Sequence, residues 1–402
     1  MAARIFYGWW IVAALLVIAV ISWGLGIFGT GVYLHAIAQT RGWSVGSISS
    51  AITVSVLLSS IAAAFTGPAV GKYGPRPVMT LGAVLMAGGV FLTGQVREVW
   101  HVYAAFVLSG LGYSCLSVTT ITAALSPWFE KHQGRAMSSA MLGASIGGMT
   151  STPILIYLIG RLGLEQAMFW SAITALVVIL PLALFVLKKS PSELGLHPDG
   201  EVPAVKSNDQ PAKAWGRAEA LKTVAFISVV VAFALGLGVQ VGFLIHHVTL
   251  AAPSLGAGGA AFIVSITAVA AFTGRVALAR WADQVDLRVT SAAVLVVAAL
   301  SLGAIAAIPA AWMLVAASVV YGLTTGNVTT LSPIIVRREF GAGVFASIYG
   351  VAWMCIGFAS ALGPAMFGWL YDYFGGYREA LVIAALLDLV AAAVVYLGRP
   401  KQ

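Results

Sequence analysis

The most informative segment of this chain is Ala261-Phe-Ile-Val-Ser-Ile-Thr-Ala-Val-Ala-Ala-Phe-Thr-Gly-Arg275-Val-Ala-Leu-Ala-Arg280-Trp-Ala-Asp283. It begins as an apolar run long enough to cross a bilayer, and it carries Arg275 before its charged end. The exit of this segment into water is marked by Arg280, Asp283, Asp286 and Arg288. A charged side chain deep in a membrane costs about 2.5 to more than 10 kcal/mol, so it usually faces a water-filled cavity or a partner. Arg275 is therefore a candidate functional residue whose charge would meet an anion.

The composition indicates that lipid surrounds most of the chain. Of the 402 residues, 60% are hydrophobic and 9% are charged, and the mean hydropathy is +0.96. A soluble domain carries roughly 25% charged residues. The net charge of +8 is typical of a multi-pass protein that keeps Lys and Arg in cytoplasmic loops, so we expect no nucleic-acid partner. The sequence predicts an all-α integral membrane protein whose immediate partner is the lipid bilayer.

The two cysteines give no indication of a disulfide, a metal or a cofactor. Cys115 and Cys355 both lie in apolar segments and lack metal-ligand spacing. We therefore expect both to be small buried side chains, and we expect no bound metal or cofactor.

At about 20 apolar residues per spanning helix, the sequence divides into twelve segments. They are 8–37, 44–70, 77–95, 100–127, 136–160, 166–187, 221–248, 257–281, 289–308, 311–335, 342–370 and 376–397. The region 188–220 is rich in Pro, Lys, Asp and Ser, which predicts a cytoplasmic linker between two bundles at 1–187 and 221–402.

The distribution of basic residues predicts the orientation. With these spans, seventeen of the 22 Lys and Arg residues fall on one side and four on the other, the remaining one being Arg275. Because basic loops stay in the cytoplasm, we expect both termini and the linker to be cytoplasmic. The short loops favour a bacterial inner (plasma) membrane.

The two halves have matching features. Segment 2 ends in the charged turn Gly67-Pro-Ala-Val-Gly-Lys72-Tyr-Gly-Pro-Arg76, and segment 8 ends in the charged turn Ala279 to Arg288. Segments 5 and 11 are both rich in glycine and each contains a proline near its end. Small residues let helices approach closely in lipid, and repeated halves are common in transporters. The alternative is that glycine-rich membrane helices occur without any repeat.

Both charged turns resemble the loop motif of the major facilitator superfamily, Gly-x-x-x-Asp-[Arg/Lys]-x-Gly-[Arg/Lys]-[Arg/Lys]. The resemblance implies twelve transmembrane helices in two pseudo-symmetric six-helix bundles around a central cavity. It also implies gating loops, here with Lys72, Arg76, Asp283 and Arg288. This sequence departs from the motif at Gly71, where an Asp is expected, and at Gln284 and Asp286, which replace a basic residue and a Gly.

More narrowly, the chain is similar to the bacterial monocarboxylate transporter and oxalate:formate antiporter group. The matching residues occur in order along the whole chain: Tyr7-Gly8-Trp9-Trp10, Gly31-Val-Tyr33, Gly42-Trp43-Ser44, Trp128-Phe129, Gly134-Arg135-Ala136, Pro191-Ser-Glu-Leu-Gly195-Leu-His-Pro198-Asp-Gly200, Gly274-Arg275, Phe340-Gly341 and Ile348-Tyr-Gly350.

The resemblance implies that Arg275 pairs with the carboxylate of the substrate. Arg stays charged at any relevant pH, and its planar fork binds a carboxylate bidentately. The family's mammalian branch has an Asp where this chain has Ala271, and a Lys where it has Thr30. The oxalate branch has a Lys in segment 11, which contains none here. One fixed cation suits a monoanion better than a dianion.

Other polar residues at mid-membrane are candidates for the substrate pocket. They are Tyr33, Tyr113, Gln240, Tyr321 and Asn327, which lie on segments 1, 4, 7 and 10, the segments that line the cavity in the fold that the resemblance implies. The candidates for proton coupling are Asp388, His35 and His246. Asp388 is also compatible with a scaffold role, and histidines near a membrane surface are often simple interface residues.

These features favour a secondary active transporter that moves a small, lactate-like or pyruvate-like monocarboxylate by alternating access, with a proton. The alternative is an anion exchanger of the oxalate:formate type, in which a counter-anion replaces the proton. A sensor with a transporter fold would be expected to carry a signalling domain. We expect no enzyme, because the sequence lacks the common hydrolase and metalloprotease motifs.

Overall fold

A computed structural model describes residues 6–129, 132–200, 217–281, 285–340 and 342–399. In these ranges the chain forms helices joined by short turns, without a β-strand. The all-α fold predicted from the sequence is confirmed.

The described part of the first half contains seven α-helices. They are α1 (Tyr7–Trp23), α2 (Gly29–Arg41), α3 (Val45–Tyr73), α4 (Pro75–Gly94), α5 (Val99–Ser114), α6 (Val118–Leu125) and α7 (Gln133–Pro181). A π-helical turn, Gly24–Phe28, joins α1 to α2 in the first span, and a second one, Leu182–Val186, extends α7. Two short 3-10 turns, Pro191–Leu194 and Pro198–Gly200, follow.

Seven α-helices also form in the residues described from 217 onward. They are α8 (Arg217–Leu221), α9 (Val224–Trp281), α10 (Leu287–Ala307), α11 (Ala311–Phe340), α12 (Ala342–Ser360), α13 (Leu362–Phe374) and α14 (Arg378–Leu397). Helices α12 and α13 together form the eleventh span.

Ten helical stretches of the described chain are long and apolar enough to cross a membrane. Two of them are too long for one crossing, because α7 has 49 residues and α9 has 58, or about 74 and 87 Å at 1.5 Å per residue. Each is broken at a glycine with positive φ, Gly163 at 77° and Gly256 at 68°. A residue with a side chain is strained in that backbone region, whereas glycine is not. Each of these helices therefore supplies two spans, and the twelve predicted spans are confirmed.

The chain divides into two compact units. One consists of Met1–Arg41 and Val54–Asn208, and the other of Gly42–Thr53 and Asp209–Gln402. The first residues of α3 thus belong to the second unit. The boundaries predicted from the sequence at 187 and 221 stay a prediction.

Matching helix contacts organise the two units. In the first, the fifth span approaches the first so closely at Gly143 that a Cβ atom there would collide with the carbonyl oxygen of Leu16. In the second, Gly363 of the eleventh span lies equally close to the carbonyl oxygen of Gly238 in the seventh. The glycines shared by segments 5 and 11 therefore serve close helix packing in both units.

Candidate functional site

Arg275 lies in the second half of α9, the eighth span, where it faces α11, the tenth span. Its side chain is half-buried, and its Nε donates a hydrogen bond to the carbonyl oxygen of Gly326 at 3.2 Å. Gly326 makes this contact possible, because a Cβ atom at that position would overlap the Cγ of Arg275 and approach its Nε to 2.8 Å. The backbone bond orients the planar guanidinium, the group that binds a carboxylate bidentately.

Two further glycines bring α9 and α11 together along the same face. Gly274 lies against the carbonyl oxygen of Leu323, and Gly322 lies against that of Thr267. The positions 322 and 326 are one helical turn apart, so they form a small-residue stripe that receives the eighth span. This packing holds the stem of Arg275 against the backbone of the tenth span.

Asn327 is adjacent to Gly326 in sequence, but it lines a cavity, whereas Gly326 contacts Arg275. It borders a cavity of about 320 Å³ in the second unit whose other lining residues are Gly274, Ala277, Leu278, Val285, Thr290 and Leu323. Its side chain is 8% exposed; Nδ2 donates to the carbonyl oxygen of Leu323 at 3.1 Å, and Oδ1 has no partner in the described chain. Arg275 is not among the residues that line this cavity.

Gln240 and Tyr321 are buried inside the second unit. The ring of Tyr321 packs on Phe243 with 4.6 Å between ring centroids, and Phe243 packs equally closely on the ring of His247. The Oε1 atom of Gln240 has no hydrogen-bond partner among the described residues. Gln240 thus lies on the seventh span and Tyr321 on the tenth.

Tyr33 and Tyr113 belong to the first unit. Tyr33 on α2 is buried, and its hydroxyl lies beside Gly29 without a hydrogen-bond partner in the described ranges. Tyr113 at the end of α5 is half-buried, and its ring meets that of Trp23 edge-on at 5.3 Å. Each of these tyrosines is fixed by neighbours within its own unit.

The three candidates for proton coupling have different surroundings. Asp388 on α14 is 1% exposed, and its Oδ1 has no partner in the part of the chain that the structure describes. His35 on α2 is half-buried, and its Nδ1 is also without a described partner. His246, in contrast, is completely hydrogen-bonded inside the second unit.

The contacts of His246 define its tautomer. Its Nε2 lies 3.0 Å from the carbonyl oxygen of Pro364 and 3.2 Å from Oγ of Ser49. A carbonyl oxygen only accepts, so Nε2 carries the hydrogen and Nδ1 accepts from the hydroxyl of Tyr377 at 2.8 Å. The imidazole thus joins the start of α3 to the seventh, eleventh and twelfth spans.

Two of the predicted gating residues contact the segment that follows α7. Nε of Arg76 donates to the carbonyl oxygen of Leu187 at 2.6 Å, and Nζ of Lys189 donates to that of Lys72 at 3.0 Å. The turn between α3 and α4 and the exit of the sixth span therefore lie at the same end of the first unit. Asp283 lies outside the described residues.

Arg288 has a different position from the one expected. The sequence placed it in a charged turn exposed to water, but it is 3% exposed in the first turn of α10, so that expectation was wrong. Its Nε and Nη2 form a bidentate pair with Glu339 at 2.6 and 2.8 Å. Its remaining hydrogen bonds go to Ser228 Oγ and to the carbonyl oxygens of Ala225 and Val395.

The members of this buried cluster share no spacing along the chain, so no sequence pattern indicates it. Glu339 is 51 residues from Arg288, and Ser228 is 60 residues away. The Gly322-x-x-x-Gly326 spacing in segment 10 was a usable signal for the contact that receives Arg275.

The two cysteines were both expected to be buried. For Cys355 this expectation was wrong, because its side chain is exposed, whereas Cys115 is half-buried.

The described residues contain no group of three or more His, Cys, Asp or Glu side chains able to hold a metal ion. The candidate site is thus a half-buried arginine on closely packed membrane helices, with buried hydroxyl and amide groups on the seventh and tenth spans. In membrane proteins, a charged side chain held within the spans commonly marks a pathway for an ion or a polar solute.

The chain belongs to the Major Facilitator Superfamily, whose family model matches residues 14–283. Similar proteins include Monocarboxylate transporter 13 of Rattus norvegicus, 27% identical over 81% of this chain and 73% of the relative. Monocarboxylate transporter 11 of Homo sapiens is 26% identical over 98% and 83%. The oxalate:formate antiporter of Oxalobacter formigenes is 26% identical over 44% and 42%. The resemblance inferred from the motifs is confirmed, and the chain is a multi-pass transporter of this superfamily.

Solved structures share the fold. A point mutant of the nucleoside transporter NupG aligns with a TM-score of 0.76 at 14% identity, over 97% of this chain and 100% of that one. A bacterial homologue of the human lysosomal transporter Spinster aligns with a TM-score of 0.70 at 14% identity, over 99% and 98%. At this identity the likeness concerns the fold alone, which is the predicted major facilitator fold.

Proposed function

We propose that this protein is a secondary active transporter of a small monocarboxylate, similar in size to lactate or pyruvate, and that Arg275 binds the carboxylate. The observation that carries the proposal is the half-buried guanidinium held by the backbone of Gly326 within a membrane span. A charge in that position is costly, so a role with an anion explains its presence. The relatives named as monocarboxylate transporters support the same substrate class.

Selectivity for a monoanion follows from the charges near the site. Arg275 is the one basic residue within the predicted spans that lies deep in the bilayer, and the eleventh span, 342–374, contains no Lys or Arg. A single guanidinium neutralises one carboxylate and leaves a second one unpaired. We therefore favour lactate-like substrates over oxalate.

The hydrogen-bonding partners of the substrate in this proposal are Tyr33, Tyr113, Gln240, Tyr321 and Asn327. Buried acceptors without a partner are costly, and the oxygens of Gln240 and Asn327 are such acceptors in the described chain. A substrate hydroxyl would satisfy one of them. A 2-hydroxy acid is therefore expected to bind more tightly than the acid of the same length without the hydroxyl.

In the proposed cycle, the anion at Arg275 neutralises the site and lets the protein alternate between its two accessible states. A proton moves in the same direction, with Asp388, His35 and His246 as the candidates to carry it. Lys72, Arg76 and Asp283 are proposed to belong to the loops that control opening at the cytoplasmic face, whereas Arg288 is buried within α10 and is not included. We place the protein in a bacterial inner membrane with both termini in the cytoplasm.

Anion exchange is the second candidate, favoured by two observations. The oxalate:formate antiporter is among the similar proteins, and the position one turn before Arg275 is Ala271 rather than an acidic residue. An exchanger needs a counter-anion on the other side of the membrane but no proton.

Uptake of labelled lactate into proteoliposomes tests the proposal. Gradient-stimulated uptake into empty vesicles supports proton symport, whereas uptake only into vesicles preloaded with lactate supports exchange. Arg275→Gln is expected to abolish both, and Arg161→Gln, at an exposed position on α7, is the matched control for loss of one positive charge. Normal uptake by Arg275→Gln would contradict the proposal.

A further inference from the structure

A buried carboxyl group inside the second unit has no partner among the described residues that would stabilise its charge. Asp388 is 1% exposed, and its Oδ1 lies 3.8 Å from the position that a Cβ atom on Gly236 would occupy. The same space is bordered by side chains of Leu295 and Val328. The carboxyl of α14 therefore points at an apolar contact among the seventh, ninth and tenth spans.

The surroundings of Asp388 favour the neutral acid. Beside Gly236 of α9, the same space that receives the Asp388 carboxyl also receives the side chains of Leu295 from α10 and Val328 from α11, and neither carries a charge. Tyr321, buried on α11 two helical turns before Val328, is a titratable phenol on this face of the helix. The Oδ1 atom of Asp388 has no hydrogen-bond partner in the described ranges. An unpaired carboxylate in such a place is far more costly than the protonated acid.

The buried histidines of the same unit have no comparable need for a proton. His246 uses both ring nitrogens in hydrogen bonds as a neutral imidazole, and its Nδ1 accepts from Tyr377. His247 is hydrogen-bonded to Ser318 through Nε2, its Nδ1 has no partner among the described residues, and its ring lies tilted against that of Phe243 at 4.6 Å. Asp388 differs from them because it is neutral only while it holds a proton.

Helix α11 connects this acid to the anion-binding arginine. Val328 of α11 borders the space beside the Asp388 carboxyl, and Gly326, two residues before it, accepts the hydrogen bond from Arg275. Two residues correspond to about 3 Å along a helix. A shift of the tenth span therefore changes the surroundings of both groups together.

We propose that Asp388 is the proton site of the transport cycle, loaded and unloaded in step with the anion at Arg275 through movement of α11. The inference rests on the proposed function. The proton adds to a carboxylate oxygen when the site opens to water, and it leaves from the same oxygen on the other side, so no other bond changes. One proton and one monocarboxylate anion then cross together without net charge.

Asp388→Asn tests this assignment, because the amide has nearly the same shape and cannot exchange a proton. In proteoliposomes, the variant is expected to keep lactate counterflow, because counterflow needs no net proton movement. Under a proton gradient, it is expected to accumulate at least tenfold less lactate than the wild-type protein. Asp286→Asn, at an exposed position, is the matched control and should retain both activities. Wild-type accumulation by Asp388→Asn overturns the proposal. Loss of both activities in a folded Asp388→Asn protein also overturns it, since Asp388 would then serve packing.

An infrared measurement decides the protonation state without transport. The wild-type protein is expected to show a carboxylic acid C=O band that is absent in Asp388→Asn and present in Asp286→Asn, and the lack of such a difference overturns the proposal. If wild-type protein shows no counterflow with any monocarboxylate, the proposed function fails, while the infrared comparison still decides whether Asp388 holds a proton. If wild-type protein shows counterflow but no response to a proton gradient, the proton site is overturned and monocarboxylate exchange stands.

Discussion

The Nε of Arg275 donates a hydrogen bond to the carbonyl oxygen of Gly326, and this bond fixes a cation of the eighth span on the backbone of the tenth. The contact depends on the missing side chain at position 326, because a Cβ atom there would overlap the Cγ of Arg275. Position 326 thus determines where the guanidinium lies. Substrate affinity is expected to be sensitive to this glycine even though it carries no functional group.

We expect Gly326→Ala to raise the KM for lactate about tenfold or more, because the added Cβ atom would displace the guanidinium of Arg275. A loss of about 1.4 kcal/mol in binding free energy corresponds to a tenfold lower affinity. Initial rates of uptake at several lactate concentrations provide the measurement. Gly303→Ala is the control, because a Cβ atom at Gly303 on α10 would meet no atom within 4 Å. Equal KM values for the two variants would show that Gly326 does not position Arg275.

Arg288 is expected to stabilise the second unit. Removing one partner of a buried, hydrogen-bonded ion pair leaves the other charge uncompensated and costs about 3 to 5 kcal/mol. Arg288→Met should therefore lower the Tm of the purified protein in detergent by several degrees and reduce its yield, because Glu339 is left unpaired.

The control for Arg288 is Arg399→Met. Arg399 pairs with Asp286 at 2.6 Å, but both side chains are substantially exposed, at 35% and 56%. Exposed pairs contribute about 0 to 1 kcal/mol, so this variant should unfold close to the wild-type Tm. The same Tm for Arg288→Met and Arg399→Met would argue against a structural role of the buried pair.

Asp286 should make stability depend on acid pH. Burial raises the pKa of its carboxyl, but hydrogen bonds from the backbone N–H of Val289, from Arg399 and from the backbone N–H of Arg288 together outweigh this and lower the pKa below the ordinary 3.8. A lowered pKa in the folded state adds stability above the unfolded pKa, and this stability is lost as the pH falls through the folded pKa.

Comparison with Asp286→Ala over a pH series tests this dependence. The wild-type protein should be more stable than the variant at pH 5 to 7, and the difference in stability should shrink as the pH falls below about 3.8. The residual difference at low pH measures the loss of the helix cap alone. A constant difference across the whole series would mean that the charge of Asp286 does not contribute.

Tyr377→Phe should destabilise the cluster around His246. The variant removes the hydroxyl that donates to Nδ1 of His246, which leaves a buried acceptor unpaired at a cost of about 1 to 3 kcal/mol. Thermal unfolding of the purified protein measures the effect. Tyr373→Phe, at an 83% exposed position, is the matched control and should have no effect. An unchanged Tm for Tyr377→Phe would show that the hydroxyl is replaceable, for example by water.

The spans could be predicted from sequence because the bilayer sets both their length and their composition. The turns at Gly163 and Gly256 lie between predicted segments, and the polar breaks near them were sufficient to separate the helices. Burial in lipid requires every backbone group to be bonded within its own helix, so local pattern is enough to define each helix.

The contacts between helices could not be predicted in the same way. The partners of His246 are at positions 49, 364 and 377, and the main partner of Arg288 is at position 339. Such pairs depend on which helices pack against each other and on which side chains face the contact, and the spacing of residues along the chain does not determine either. Arg275 was found from sequence because a charge in an apolar segment is visible without its partner. The Gly322-x-x-x-Gly326 spacing indicates a close helix contact, but only the structure identifies Arg275 as the side chain that fills it.

The central claim, that Arg275 binds a monocarboxylate, is tested most directly by equilibrium binding of labelled lactate to the purified protein at fixed pH, with unlabelled monocarboxylates and oxalate as competitors. We predict saturable binding to the wild-type protein, stronger competition by monocarboxylates than by oxalate, and at least tenfold weaker binding to Arg275→Gln but not to Arg161→Gln. Equal affinity of Arg275→Gln and the wild-type protein for lactate would contradict the assignment of Arg275.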